Sequence, residues 1–275
     1  MIEIPVEVVT PKLGAYVRLA ADTLLSQGVP EACLDLLNQY GALIFPRICV
    51  SDEVQVAFSN RLGRMQPTRM SSDALGIYPV TLDPNRARFL DYIQSNEHWH
   101  MDGTTYAIPP KATNLKCQVP PSSGGDTEFA NLYAAYEDLS AARKLQLEEL
   151  RVIHSAEAAN AKFFLTPSEE DLKRWRRDGP PREQPLVWHQ ANGCTSLVIG
   201  STAERIVGMS SAQSRALLDE LLTWCTQPKY CYRHRWQQGD MVIWNNPGLL
   251  HRAHHYTAES GRLMHRTTIM GSEAT

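Results

Sequence analysis

No apolar run in this 275-residue sequence approaches the roughly 18 residues that cross a bilayer, and the opening Met1-Ile2-Glu3-Ile4-Pro5 lacks the basic flank of a secretory leader. Both absences predict a cytoplasmic chain without membrane contact. Basic charge is not in excess either: 27 Lys and Arg stand against 30 Asp and Glu, poor material for displacing counterions from nucleic-acid phosphates. The short basic runs Arg174-Trp175-Arg176-Arg177 and Arg233-His234-Arg235 read as solvated faces. Cysteine is sparse: Cys33, Cys49, Cys117, Cys194, Cys225 and Cys231 form no Cys-x-x-Cys pair. That spacing excludes a zinc ribbon and a compact disulfide framework, leaving reduced, mostly buried thiols. Also missing are an internal repeat, a low-complexity linker, a dinucleotide-binding glycine fingerprint and a phosphate loop. A single domain over residues 1–275, with a small molecule as its partner, is the simplest organisation; self-association into a homo-oligomer stays open.

What is present suits a large packed core, with 43% hydrophobic and 21% charged residues. Pro30 to Asn38 predicts a helix, and Ala42-Leu43-Ile44-Phe45 a strand after it. Ser51 is placed to cap a helix running to about Leu62, with Asp52 and Glu53 in its first turn, where negative charge suits the helix dipole. Asn131 to Leu150 and Ser210 to Cys225 read as further helices, the second with Leu217, Leu218, Leu221 and Leu222 on one stripe. Short strands are expected at Thr113–Val119, Arg151–His154, Leu186–His189, Ser196–Ile199, Tyr230–Arg235, Met241–Trp244 and Leu263–Met270. Many short strands with helices before and between them predict a mainly β fold with flanking helices, an antiparallel barrel or jelly roll. Gln66 to Arg86 reads as a long loop suited to a lid, and it and Lys162 to Pro185 are expected to cover a pocket.

His100-Met101-Asp102 places two metal-competent side chains two positions apart, so on a strand they would share a face. Such pairs are common by chance, and a third ligand is needed. His251, His254, His255 and His265 are available, and two histidines with one carboxylate form the open face that suits a non-haem iron. His251 is the best placed, following the turn and strand Gly239-Asp240-Met241-Val242-Ile243-Trp244 and preceding Arg262 by eleven positions and Arg266 by fifteen. On a regular strand the two arginines would share a face roughly 13 Å apart and could grip two anions. A cosubstrate with two carboxylates, such as 2-oxoglutarate, needs a bidentate cation for the carboxylate that leaves the metal free. Two surface ion pairs are the alternative.

The sequence resembles the taurine and 2,4-dichlorophenoxyacetate dioxygenases, a branch of the 2-oxoglutarate-dependent oxygenases. The matching words are Trp99-His100-Met101-Asp102-Gly103, Pro120 through Phe129 with Ala134-Ala135-Tyr136, Tyr232-Arg233-His234-Arg235-Trp236, Gly239-Asp240 through His251-Arg252, and Arg262-Leu263-Met264-His265-Arg266. The match is good from Asn96 to Gly271 and loose over the N-terminal third. The resemblance implies a double-stranded β-helix (jelly roll, cupin-like) and iron(II) on His100, Asp102 and His251. It further implies 2-oxoglutarate held through its distal carboxylate by Thr127 and Arg262, with Asn96 and Arg266 facing the substrate. Dioxygen and 2-oxoglutarate would then be consumed, and succinate and carbon dioxide released, as an unactivated carbon is oxidised, in most members by hydroxylation. A second arginine facing the substrate suggests a small anion: a carboxylate, sulfonate or sulfate ester.

The chain departs from the family at Trp244-Asn245-Asn246-Pro247, where the usual words are Trp-Asp-Asn-Arg; a local acid–base pair is lost, with an expected effect on loop rigidity. Asp102 is intact, which argues against the halogenating members. Competing readings are a non-catalytic cupin-like binding protein and a zinc hydrolase. Phe163, Phe164, Trp175, Trp188, Trp224 and Trp236 read as core aromatics. His98, His154, His189, His234 and His265 read as structural.

Overall fold

A computed structural model describes residues 2–67, 75–86 and 90–275. The chain opens with the strands β1 (Val6–Thr10) and β2 (Leu13–Val17), then the helix α1 (Val29–Tyr40), β3 (Ala42–Phe45) and α2 (Asp52–Leu62). β4 (Tyr78–Val80) and α3 (Leu90–Ser95) precede β5 (Ala112–Val119) and β6 (Thr127–Asn131). Next come α4 (Leu132–Glu137), α5 (Ala141–Leu147), β7 (Arg151–His154), α6 (Ala156–Asn160) and α7 (Glu169–Asp178). They are followed by β8 (Arg182–Pro185), β9 (Val187–His189), β10 (Thr195–Leu197), β11 (Ala203–Ile206) and α8 (Ser211–Cys225). The last strands are β12 (Cys231–His234), β13 (Met241–Asn245), β14 (Leu249–Ala253) and β15 (Leu263–Ile269).

A seven-stranded sheet in the order β1-β2-β3-β13-β5-β15-β4 faces a three-stranded sheet in the order β12-β6-β14. Two strands show why the apolar words are continuous rather than alternating. Leu43 and Phe45 of β3, with Met241 and Ile243 of β13, pack against α1 and α2 through Cys33, Leu37, Phe58 and Leu62. Their neighbours Ala42, Ile44, Val242 and Trp244 point the other way, onto Phe129 and Leu249 of the small sheet. Successive side chains leave opposite faces of a strand, so a sheet buried on both sides needs an apolar residue at every position. A third cluster, Leu147, Val152, Leu186, Leu218, Leu221 and Tyr230 among others, lies under α4, α8 and β7 to β11.

The mainly β architecture with flanking helices matches the expectation, as do the caps: Ser51 accepts from Val54 N–H, and Ser210 forms a reciprocal box with Gln213. Asn131 to Leu150 is not one helix. Asn131 caps α4 and Ser140 caps α5, so the second cap ends what the apolar spacing alone would continue. The Gln66–Arg86 segment, expected as loop, contains β4, whose Tyr78 and Val80 pair with Arg266 and Met264; residues 68–74 lie outside the described residues. The basic run at 174–177 is a paired surface, with Arg174 on Asp171, Arg176 on Glu157 and Arg177 on Asp178.

Candidate active site

His100 and His251 meet through the backbone before they meet through their rings. His100 N–H donates to the His251 carbonyl at 3.0 Å, and His251 N–H returns the bond at 2.9 Å. Ala253 N–H reaches the Asn96 carbonyl at 2.8 Å, so residues 96 to 100 run antiparallel to β14. Pairing stops there, and Asp102 lies in a turn rather than on a strand. The expected shared strand face is therefore not the device that joins His100 to Asp102; the turn swings the carboxylate back towards the rings. His251 Nε2 sits 3.8 Å from Asp102 Oδ2, and ligand atoms of all three residues lie within 4.8 Å of one another. Among the described residues no other such group occurs.

The surroundings prepare these groups for a cation. His100 Nδ1 lies 2.8 Å from the His98 carbonyl, which can only accept, so Nδ1 carries the proton and Nε2 keeps a free lone pair. Burial holds both imidazoles below their ordinary range, and the neighbouring His100 ring further discourages charge on His251. Burial works against the Asp102 carboxylate too, but Arg266 beside it, with His251, His100 and the Thr113 hydroxyl, holds its carboxyl well below the usual range. Two neutral imidazoles and one carboxylate are the donor set of a non-haem iron site, and they fit iron(II) without rearrangement of charge. Asp102 Oδ2 accepts from Thr113 Oγ1 at 3.0 Å and Arg266 Nη2 at 2.6 Å, and Thr113 in turn accepts from Asn246 Nδ2 at 3.0 Å. Gly200 completes the packing: with φ +120, a Cβ there would stand 3.0 Å from both His100 Cα and the Trp99 carbonyl oxygen.

The competing histidines are engaged elsewhere. His254 pairs with Glu128, His255 with Glu97, and His265 with Asp52 beside α2.

His100 and His251 open into a cavity lined by Asn96, Thr127, Arg262 and Arg266 and walled by Val80, Ile93, Leu115 and Trp244. Arg262 is 2% exposed, yet among the described residues no carboxylate pairs with it. Its Nε donates to the Gly125 carbonyl at 3.0 Å, its Nη1 lies 3.4 Å from the Tyr256 hydroxyl, and the guanidinium stands 4.8 Å from that ring. Gly125 explains the close approach: at φ +67, an added Cβ would sit 2.8 Å from Arg262 Cδ. Arg262 precedes β15, and the register shifts between Leu263 and Met264, so the two arginines do not share one regular strand as the spacing predicts. They nevertheless line the same cavity, with Arg266 held on Asp102. Thr127 opens β6, and its Oγ1 accepts from Trp236 Nε1 at 3.0 Å.

Segment 162–185 does not cover this cavity. It forms α7, packed on α6, and β8, paired with β7, and none of its residues lines the pocket. At Asn245-Asn246-Pro247, where the resemblance implies an acid–base pair, the contacts of this chain are neutral. Asn245 Oδ1 caps Gly248 N–H at 3.2 Å, and the Pro247 carbonyl accepts from Ser196 Oγ at 2.7 Å. The turn that leads to His251 is thus tied down without charge. Thr113, Tyr256 and Gly200 were not singled out by sequence reasoning, because a lone hydroxyl or a lone glycine carries no motif of its own.

Comparison with known proteins agrees with this geometry. Residues 6–268 match the model of the family described as taurine catabolism dioxygenase TauD, TfdA family. The chain is 32% identical over 274 residues to the alpha-ketoglutarate-dependent 2,4-dichlorophenoxyacetate dioxygenase of Burkholderia sp. (strain RASC), covering 94% of this chain and 91% of that protein. It is 30% identical to the alpha-ketoglutarate-dependent sulfate ester dioxygenase of Pseudomonas putida, covering 98% and 90%. The crystal structure of AAD-2 in complex with Mn(II) and N-oxalylglycine superposes with a TM-score of 0.84 at 28% identity over 99% of each chain. With a family match over nearly its whole length and the sheet-rich fold in common, the chain belongs to the taurine catabolism dioxygenase TauD, TfdA family.

Proposed function

We propose that this chain, folded as one domain over residues 1–275 with its facing sheets forming a jelly roll, oxidises an unactivated carbon of a small organic anion in the cytoplasm. It is an iron(II)- and 2-oxoglutarate-dependent dioxygenase, an oxidoreductase that consumes dioxygen. His100, Asp102 and His251 would hold the metal, Thr127 and Arg262 the distal carboxylate of 2-oxoglutarate, and Asn96 and Arg266 would face the substrate. The observation that carries this reading is Arg262. A buried cation without a counter-ion among the described residues costs several kcal/mol, and it is retained on the wall of the cavity that His100 and His251 line. A dicarboxylate bound there supplies the missing charge.

When bound, iron(II) supplies the centre at which dioxygen oxidises 2-oxoglutarate to succinate and carbon dioxide, leaving one oxygen atom for the substrate. The protein's part is placement. Thr113 and Arg266 orient the Asp102 carboxylate, the His98 carbonyl orients His100, and the apolar walls exclude water from the reacting atoms. The relatives named for 2,4-dichlorophenoxyacetate and for sulfate esters act on small anions, which supports a carboxylate, sulfonate or sulfate ester here. Arg266 is the cation such a group would meet beside Asp102. Family membership favours turnover over the cupin-like binder.

Anaerobic addition of iron(II) and 2-oxoglutarate tests the reading. A visible charge-transfer band is expected, and its persistence in His251→Ala would count against this ligand set. Succinate release against a panel of organic acids, sulfonates and sulfate esters then identifies the substrate class.

A further inference from the structure

The indole of Trp236 lies just beyond β12, and its only polar contact among the described residues is the 3.0 Å bond to Thr127 Oγ1. Both residues are buried, at 7% and 3% exposure. An indole N–H can only donate, whereas a threonine hydroxyl has one proton and two lone pairs. The contact therefore fills a lone pair of Thr127 and directs the hydroxyl's own proton away from the indole. Among the described residues no acceptor takes that proton, and Thr127 lines the cavity that also holds Arg262.

The indole is held in turn. The His234 ring stands edge-on to it, with centroids 4.5 Å apart at 87°. His234 is fixed at both nitrogens, by Asp240 Oδ2 at 3.1 Å and by the Tyr232 hydroxyl at 3.1 Å. His234 also pairs with Thr127 in the register of β12 and β6, so the acceptor and the ring that braces its donor ride on hydrogen-bonded backbone. Sequence reading left both Trp236 and His234 as structural; together they brace one hydroxyl.

We propose that Trp236 is a positioning residue for the 2-oxo acid: by occupying Thr127 as an acceptor, it makes that hydroxyl a dedicated donor to the distal carboxylate. This rests on the reading of Thr127 and Arg262 given above. Without the indole N–H, the hydroxyl is free to rotate and its proton is no longer committed to the ligand.

The test is calorimetric titration of 2-oxoglutarate into Mn(II)-loaded protein without oxygen, for wild type, Thr127→Val, Trp236→Phe and the double variant. Loss of a hydrogen bond to a charged group predicts about tenfold weaker binding for Thr127→Val, and a loss of similar order or less for Trp236→Phe. The double variant binds no more weakly than Thr127→Val alone, since the indole acts only through the hydroxyl. With 2-oxobutyrate, which lacks the distal carboxylate, Trp236→Phe changes nothing, and Mn(II) affinity is unaltered throughout. Additive losses, or an equal loss with 2-oxobutyrate, would show a merely structural tryptophan and overturn the proposal. Unchanged 2-oxoglutarate affinity in Thr127→Val is a different failure, because it removes the role of Thr127 itself. A check that does not depend on the folding of Trp236→Phe uses Zn(II)-loaded protein with 15N-labelled indoles. The indole resonance displaced by Thr127→Val must also move in wild type with 2-oxoglutarate and stay still with 2-oxobutyrate; if no resonance does so, the proposal fails.

Discussion

Replacing Arg262 by methionine separates two quantities that fall together for most buried residues. In the ligand-free protein the substitution orphans the Gly125 carbonyl, which accepts from Arg262 Nε at 3.0 Å, at a cost of about 1–3 kcal/mol. It also removes a cation that is 2% exposed and has no carboxylate partner among the described residues, whose burial itself costs several kcal/mol. The two effects oppose, so the metal-loaded, ligand-free protein shifts in stability by less than about 2 kcal/mol, or within about 6 °C in Tm. The liganded protein behaves otherwise. Each charged hydrogen bond to the distal carboxylate contributes about 1.5–3 kcal/mol, and a bidentate pair lost weakens 2-oxoglutarate by roughly 100-fold or more. Thermal unfolding of Mn(II)-loaded protein under nitrogen, with and without 2-oxoglutarate, reads both. At 100 times its Kd the ligand stabilises wild type by about 2.7 kcal/mol, and at the same concentration it adds about 0.4 kcal/mol or less to Arg262→Met. An undiminished ligand-induced gain in the variant would refute the assignment of Arg262. A collapse of the ligand-free protein by more than about 5 kcal/mol would refute the argument that its charge is uncompensated.

Thr113→Val keeps the shape but removes the hydroxyl between Asn246 and Asp102, and Mn(II) affinity measured by EPR titration falls about 10- to 100-fold; unchanged affinity would show that Asp102 needs no such support. Gly200→Ala forces a Cβ to 3.0 Å from His100 Cα and the Trp99 carbonyl, so metal affinity is lost and stability drops by about 1–3 kcal/mol, which parallel Mn(II) titration and urea unfolding would show. Arg266→Ala removes both the cation that orients Asp102 and the one on the substrate side, so at saturating iron(II) it raises the KM for the primary substrate by a larger factor than it lowers substrate-free turnover of 2-oxoglutarate; equal loss of both would remove Arg266 from the substrate side. His154 is pushed down to about 4 by burial, from an ordinary 6.5. Between those values the unfolded chain binds the proton more readily. Stability is therefore complete above pH 6.5 and is lost as pH falls towards 4, by about 3 kcal/mol at most, and urea midpoints in His154→Phe fall less steeply over that window.

Strands buried on both faces were legible because Ala42-Leu43-Ile44-Phe45 and Met241-Val242-Ile243-Trp244 are too apolar to be anything else. β6 and β14 were not, since Thr127-Glu128-Phe129-Ala130-Asn131 and Leu249-Leu250-His251-Arg252-Ala253 mix ligand, ion-pair and core positions on one short strand. Grouping His251 rather than His254 or His255 with His100 and Asp102 was readable from its distance to Arg262, and the structure gives the reason: the other two have acidic partners of their own. The mutual placement of His100 and Asp102 was misjudged because a turn, not a strand, joins them, and turn geometry depends on contacts made by distant residues. The register shift before Met264 had the same character. A bulge is set by the partner strand, and nothing within Arg262-Leu263-Met264 announces it.

The paired backbone bonds between His100 and His251 bear on how the chain acquires its centre. These residues are separated by more than half of the sequence, and only a completed small sheet brings β14 alongside residues 96 to 100. No short peptide of this chain contains all three ligands, so a metal ion offered to the nascent or denatured polypeptide meets His100 and Asp102 without His251. Ion capture becomes a consequence of long-range docking rather than its nucleus. The order is the reverse of a zinc finger, in which the ion gathers the chain around itself.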